Sequence, residues 1–262
     1  MTISAEQPAT TLVEIHGLKK QYGAFEAVKG LTLTVPYGQI FALLGPNGAG
    51  KTTTIKMLMG ILAPTSGYAR IACFDCFQDR VEVKRRVGYQ PDKPTFYDYL
   101  RGNEIINFTG EMHGLSKSET EIRAQQLLDR LDLKDALNEF AVNYSTGMKK
   151  KLALICAMLH DPDLLILDGP TNGLDPFATR ALHELIREKA AAGRTIFFST
   201  HLLDQAEKLC TDIAIWRIIG EIRHCAIEII KRSAGFVLGG NATKVQWKTF
   251  VVMGDSWTCV SW

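Results

Sequence analysis

Gly45-Pro46-Asn47-Gly48-Ala49-Gly50-Lys51-Thr52-Thr53 constrains this chain more than any other stretch. It reads G-x-x-x-x-G-K-T. Residues 39–44 before it form an apolar run of strand length. Residues 54–59 after it carry apolar side chains at helical spacing. Strand, glycine-rich loop and helix together give the motif its physical meaning. The glycines let the backbone curl so that several N–H groups converge. Those donors, with the positive end of the following helix, make a site for phosphate oxygens. Lys51 is placed to reach β- and γ-phosphates, and Thr52 to put its hydroxyl on Mg²⁺.

Such a loop needs a sheet beneath it, and 262 residues suffice for one large α/β domain or a domain with a smaller lobe. Hydrophobic residues make up 46%, enough to bury a core around that sheet. The net charge of +2 gives no sign of a nucleic-acid partner. No apolar run has the length of a membrane span, and residues 1–11 lack the basic-then-apolar layout of a signal peptide. Cys73 and Cys76 form a lone C-x-x-C without a second pair. The six cysteines are expected to be reduced thiols in a cytosolic protein.

Along the chain, residues 1–10 read as a loose end. Residues 12–18 and 27–35 read as strands before the loop, which implies an antiparallel layer beside the nucleotide core. Tyr22 is positioned either to stack on an adenine ring or to cover a strand edge. Residues 81–86 read as a short basic helix and 87–89 as a strand. From 100 to 133 the pattern is helical, with Ile105, Phe108 and Met112 on one face and Ile122, Leu127, Leu128 and Leu131 on another. With the helix at 152–159, this block reads as an inserted helical subdomain over about 100–159. Ser145 is a good helix N-cap. It can equally present its hydroxyl, with the Gly147 N–H, as a second anion-binding helix terminus.

Residues 163–168 form a buried strand ending in Asp168. Paired with the upstream loop, this carboxylate is a Mg²⁺ ligand candidate. Residues 195–199 form another buried strand, leading to His201, which can reach a γ-phosphate. Residues 245–253 have strand character. Residues 235–262 form a tail of open role, with an added β element, a dimer contact or a degenerate end as the alternatives.

Taken together, these residues resemble the nucleotide-binding subunit of an ATP-binding cassette (ABC) transporter over about residues 12–230. Residues 45–53 resemble Walker A, Tyr144-Ser145-Thr146-Gly147-Met148 the signature, and residues 164–168 Walker B. Asn172-Gly173-Leu174-Asp175 resembles the D-loop, His201 the switch histidine and Tyr22 the adenine-stacking aromatic. The signature variant most resembles exporter branches. The resemblance implies an α/β fold: a phosphate-loop NTPase core with an antiparallel β layer and an inserted helical subdomain, as one ABC domain over 1–234. It implies ATP and Mg²⁺, held by Tyr22, Gly45, Pro46, Asn47, Gly48, Ala49, Gly50, Lys51, Thr52, Thr53, Ser145 and Gly147, with Thr52, Asp168 and Asp92 toward the metal. It also implies a second nucleotide-binding subunit, a separate membrane permease and a place at the cytoplasmic face of the membrane.

Two departures bear on chemistry. The family carries a glutamate directly after the Walker B aspartate, as general base. Here Gly169 stands there and leaves the position empty, which slows hydrolysis by roughly 10²–10⁴-fold. The family commonly carries Gln or Glu where this chain has Asp92, one carbon shorter than Glu. A transporter ATPase subunit with impaired catalysis is therefore the first reading. A regulatory switch that binds ATP with little hydrolysis is the alternative.

Overall fold

A computed structural model describes residues 11–219, 224–232, 247–253 and 256–260. The loose end over 1–10 and the domain boundary at 234/235 lie outside the described residues. The chain opens with two long strands, β1 (Thr11–Tyr22) and β2 (Phe25–Pro36), followed by the short β3 (Ile40–Leu44). Helix α1 (Lys51–Leu58) leaves the glycine-rich loop. Then come β4 (Ser66–Ile71), β5 (Phe74–Asp75), α2 (Arg80–Arg86) and β6 (Val87–Gln90). Helices α3 (Gly102–Met112), α4 (Lys117–Leu131) and α5 (Thr146–Met158) form the helical block. The chain returns through β7 (Leu164–Asp168), α6 (Pro176–Ala191), β8 (Thr195–Thr200), α7 (Leu203–Leu209) and β9 (Asp212–Ile219). Strands β10 (His224–Arg232), β11 (Trp247–Met253) and β12 (Ser256–Val260) close it.

Two sheets organise these elements. An antiparallel sheet runs β2-β1-β4-β5, and a larger one runs β12-β11-β10-β9-β3-β8-β7-β6. From β9 to β6 the larger sheet is parallel. Its tail strands β10, β11 and β12 add to it antiparallel, so the strand character expected over 245–253 becomes, from Trp247 on, part of the main sheet.

The parallel strands β3, β7 and β8 are buried at every residue, as a sheet covered on both faces must be. Their alternation divides the core. Phe41, Leu43, Leu164, Ile166 and Phe197 pack toward the antiparallel layer and α1. Ile40, Ala42, Leu44, Leu165, Leu167, Ile196 and Phe198 pack toward α5, α6 and the helical block.

The helical block keeps part of its expected faces and departs from the rest. In α3 the buried residues are Gly102, Ile105, Ile106 and Gly110, while Phe108 and Met112 are exposed. In α4 Leu127, Leu128 and Leu131 are buried with Thr120 and Ala124, and Ile122 is exposed. A helix of 3.6 residues per turn buries one stripe only, and small residues at Gly110 and Ala124 hold that stripe by close approach. The apolar spacing placed Ile105 of α3 and Leu127, Leu128 and Leu131 of α4 correctly and misplaced Phe108, Met112 and Ile122.

Candidate functional site

Four neighbouring parallel strands end on one side of the sheet, and the loops after them meet there, as open α/β sheets arrange their ligand sites. β3 runs into the glycine-rich loop, β8 into His201, β7 into Gly169 and β6 toward Asp92. The first two are tied directly by the Gly45 N–H, which donates to Thr200 O at 3.2 Å. A cleft of about 300 Å³ gathers Tyr22, Asn47, Gly48, Gly50, Lys51, Thr52, Thr53, Asp92, Asp168, Gly169 and His201 around these strand ends.

The loop takes its shape from glycine. Gly50, the residue before α1, has φ +101°, and a Cβ there would fall 2.4 Å from Ala27 O of β2. Only glycine admits both that backbone conformation and that approach. The antiparallel layer is therefore what presses the loop against α1. Lys51 is buried, and its Nζ donates to Gly45 O at 2.7 Å and Pro46 O at 2.9 Å. Burial holds the Lys51 ammonium below its usual pKa, with Asp168 opposing that shift. A buried cation beside convergent N–H groups favours an anion. Gly45 and Pro46 bear on the cleft through their carbonyls, and Ala49 is buried in the core below it.

Asp168 is buried, and its Oδ1 accepts from the Ser199 hydroxyl. Its Oδ2 is buried with no hydrogen-bond partner among the described residues. Burial, and then the charges of Asp168 and Asp92, push Tyr89 up to about 12, which places both carboxylates in one field. An orphaned carboxylate oxygen in a negative field, with the Thr52 hydroxyl in the same cleft, fits a divalent cation. No cluster of three or more His, Cys, Asp or Glu with metal-site geometry occurs among the described residues. Cys73, Cys76, Cys156 and Cys210 are free thiols.

Position 169 is not empty. Gly169 has φ +52°, and a Cβ there would fall 2.5 Å from Asn172 Nδ2 and 2.9 Å from Asp92 Oδ1. Asn172 Nδ2 donates to Asp92 Oδ1 at 3.0 Å. Lys150 reaches the same place from α5. Its Nζ donates to Gly169 O at 2.7 Å and pairs with Asp92 Oδ1 at 3.3 Å. The Lys150 side chain is only 2% exposed, and its burial lowers the ammonium pKa against the pull of Asp92.

Sequence reasoning missed Lys150, which stands between Lys149 and Lys151. The available signal was helical spacing, since Lys150 shares a stripe of α5 with Leu154 and Ala157, both buried. Phe25, beside Tyr22, and Ser199 and Thr200, at the end of β8, were also missed as members of the cleft.

Ser145 and Gly147 do not line the cleft with Lys51. The Ser145 hydroxyl accepts from Met148 N at 3.2 Å and caps α5. Gly147 lies against the turn after β7, where an added Cβ would be 3.2 Å from Gly173 O.

Comparison with known proteins agrees with this arrangement. Residues 28–172 match the family described as ABC transporter, over more than half of the chain. This chain belongs to that family. It is 38% identical over 206 residues to the uncharacterized ABC transporter ATP-binding protein YxlF of Bacillus subtilis (strain 168), covering 79% of this chain and 68% of the relative. It is 37% identical over 215 residues to the daunorubicin/doxorubicin resistance ATP-binding protein DrrA of Streptomyces peucetius, covering 81% of this chain and 65% of the relative. The chain thus spans about two thirds of the length of these curated relatives. Among solved structures, an ATP binding subunit of an ABC transporter aligns with TM-score 0.74 at 37% identity, covering 78% of this chain and 85% of that one. A nucleotide-free ATP-binding cassette aligns with TM-score 0.67 at 21% identity and supports the fold. The phosphate-loop core, the antiparallel layer and the helical block of this chain are those of an ABC transporter ATP-binding domain.

Proposed function

We propose that this cassette binds MgATP in the cleft between β3, β7 and β8 and hydrolyses it to drive export through a separate membrane permease. The observation that carries the reading is the meeting of buried Lys51, orphaned Asp168 Oδ2 and the glycine-rich loop in one cleft. The loop N–H groups and Lys51 bind the β- and γ-phosphates. Tyr22 and Phe25 line the same cleft and offer aromatic faces to adenine. Thr52 and Asp168 would hold Mg²⁺, which supplies charge stabilisation to the phosphates when bound. His201 holds the γ-phosphate at the rim.

The relatives' names speak of drug resistance, and with the exporter-like signature they favour export as the direction of transport. No described helix is long and apolar enough to cross a membrane. On this reading a separate permease chain supplies the path. A groove of about 480 Å³, lined by Phe96, Tyr97, Leu100, Ile105, Phe108 and Cys156, offers that chain an apolar seat near the Asp92 loop. A second cassette completes the site. Ser145 and Gly147 stand apart from Lys51 within one chain, so their anion-binding terminus serves a nucleotide held by a partner cassette. On the same reading the assembly sits at the cytoplasmic face of the membrane.

Hydrolysis is expected to run slower than in a cassette with glutamate at 169, because glycine carries no proton acceptor. Equilibrium binding of labelled ATP tests the foundation. Lys51→Ala removes the charge on the phosphates while sparing the fold, and affinity is expected to fall at least tenfold. Unchanged affinity would place the nucleotide elsewhere.

A further inference from the structure

Gly169 and Asp92 are 77 positions apart in sequence, yet their atoms compete for one volume. The point from which a side chain at 169 would grow lies 2.9 Å from Asp92 Oδ1. The backbone there, at φ +52°, is one that residues other than glycine rarely take. A carboxylate already occupies the position that the sequence leaves without one, and it arrives from the end of the neighbouring strand β6.

We propose that Asp92 is the catalytic carboxylate of this cassette, with Lys150 and Asn172 as its positioning residues. The inference rests on the ATPase reading above. Asp92 Oδ1 is anchored twice, by Asn172 Nδ2 at 3.0 Å and by Lys150 Nζ at 3.3 Å. Both of these bonds fall on Oδ1, the Asp92 side chain is 39% exposed, and Asp92 lines the cleft with Asp168 and His201. One oxygen is thus fixed and the other is available to a water. In the reaction the water oxygen bonds to the γ-phosphorus. The bond from that phosphorus to the β–γ bridging oxygen breaks, and ADP leaves with the electron pair. One water proton passes to Asp92 Oδ2, and the other stays on the phosphate product.

Lys150 gives the arrangement its rigidity. A buried ammonium is retained only where partners repay its desolvation. Here they are the Gly169 carbonyl, at 2.7 Å, and Asp92. The lysine therefore ties the carboxylate to the backbone of the very turn that lacks one. It also ties both to α5, the helix that Ser145 caps.

The test compares the unsubstituted chain with Asp92→Asn, Asp92→Glu, Lys150→Met, Lys150→Arg and Gly169→Glu. Steady-state phosphate release, ATP affinity and thermal melting are measured for each. Asp92→Asn is expected to lower kcat by roughly 10²–10⁴-fold with ATP affinity kept. Asp92→Glu retains turnover. Lys150→Met lowers kcat, and Lys150→Arg restores it. Gly169→Glu leaves kcat at or below the starting value and lowers Tm. A Gly169→Glu chain that turns over a hundredfold faster would overturn the assignment, as would an Asp92→Asn chain as active as the original. Loss of ATP affinity rather than kcat in Asp92→Asn would also overturn it, giving the residue a ligand-holding role. Failure of the unsubstituted chain to bind ATP would instead overturn the ATPase reading, and is distinguished by the affinity measurement.

Discussion

Gly169→Ala is the smallest change that asks whether the turn after β7 is built around glycine. Two costs are expected. The first is conformational, since φ +52° costs a residue with a Cβ about 1–2 kcal/mol. The second is crowding. The new Cβ would fall 2.5 Å from Asn172 Nδ2, so the amide must swing away and give up its hydrogen bond to Asp92 Oδ1. A hydrogen bond of this kind contributes about 0.5–1.5 kcal/mol net. The sum is about 1.5–3.5 kcal/mol. Gly193→Ala is the control, because Gly193 has φ +84° and nothing within 4 Å of a built Cβ. It carries the conformational cost alone, and the change in unfolded-chain entropy is common to both. At about 2–4 °C per kcal/mol for a chain of this size, Gly169→Ala should melt about 1–6 °C below Gly193→Ala. Calorimetry on the full chain reads the difference. In an Asn172→Ala background, where that hydrogen bond is already absent, Gly169→Ala should cost less than it does alone, as coupled neighbours do. Equal melting shifts in the two single variants would refute the claim that position 169 is filled.

Three further outcomes are expected. Burial, followed by the nearby His113, pushes His160 down to about 4. The unfolded chain therefore binds a proton at this ring below about pH 6.5 and the folded chain does not, so stability falls as pH drops from about 6.5 to 4. The loss is about 1.5–3 kcal/mol at ~1.4 kcal/mol per pKa unit, reduced at the lower end by the ring's remaining solvent contact. Urea melts at both pH values should show it shrinking in His160→Gln. Asp175 caps α6 by accepting from Ala178 N at 2.8 Å, and Asp175→Ala should cost about 0.5–2 kcal/mol by the same melts. Phe108→Glu places a charge in the apolar groove beside α3 and should abolish co-purification with the permease while leaving ATP affinity unchanged.

The local parts of the site were legible because their physics is local. The glycine-rich loop declares itself by strand, turn and helix within fifteen or so residues, and Asp168 and His201 by standing at the ends of buried strands. The helical block was legible as helix, and most of the inner side of α4 with it, but α3 was read only in part. Phe108 and Met112 look like core by type and spacing, and only the packing of Gly110 shows that α3 turns its other side inward. Lys150 was hidden for the converse reason. A lysine between two lysines looks solvated, and its burial follows from partners just past the ends of β6 and β7 that no local pattern connects to α5.

The contact between Asp92 and position 169 follows from how a parallel sheet is assembled. β6 and β7 are neighbours in register, with Gln90 opposite Leu167. Adjacent strands lie about 4.8 Å apart, so the residues just beyond their ends are within one side chain of each other. A carboxylate lost from the end of one strand can then be supplied from the end of the next without moving either backbone. Aspartate is short enough to fit only if the recipient position has no side chain, and glycine meets that condition. The two departures, Gly169 and Asp92, are on this account one feature. Each residue makes room for the other, and Lys150 holds them in register from beneath.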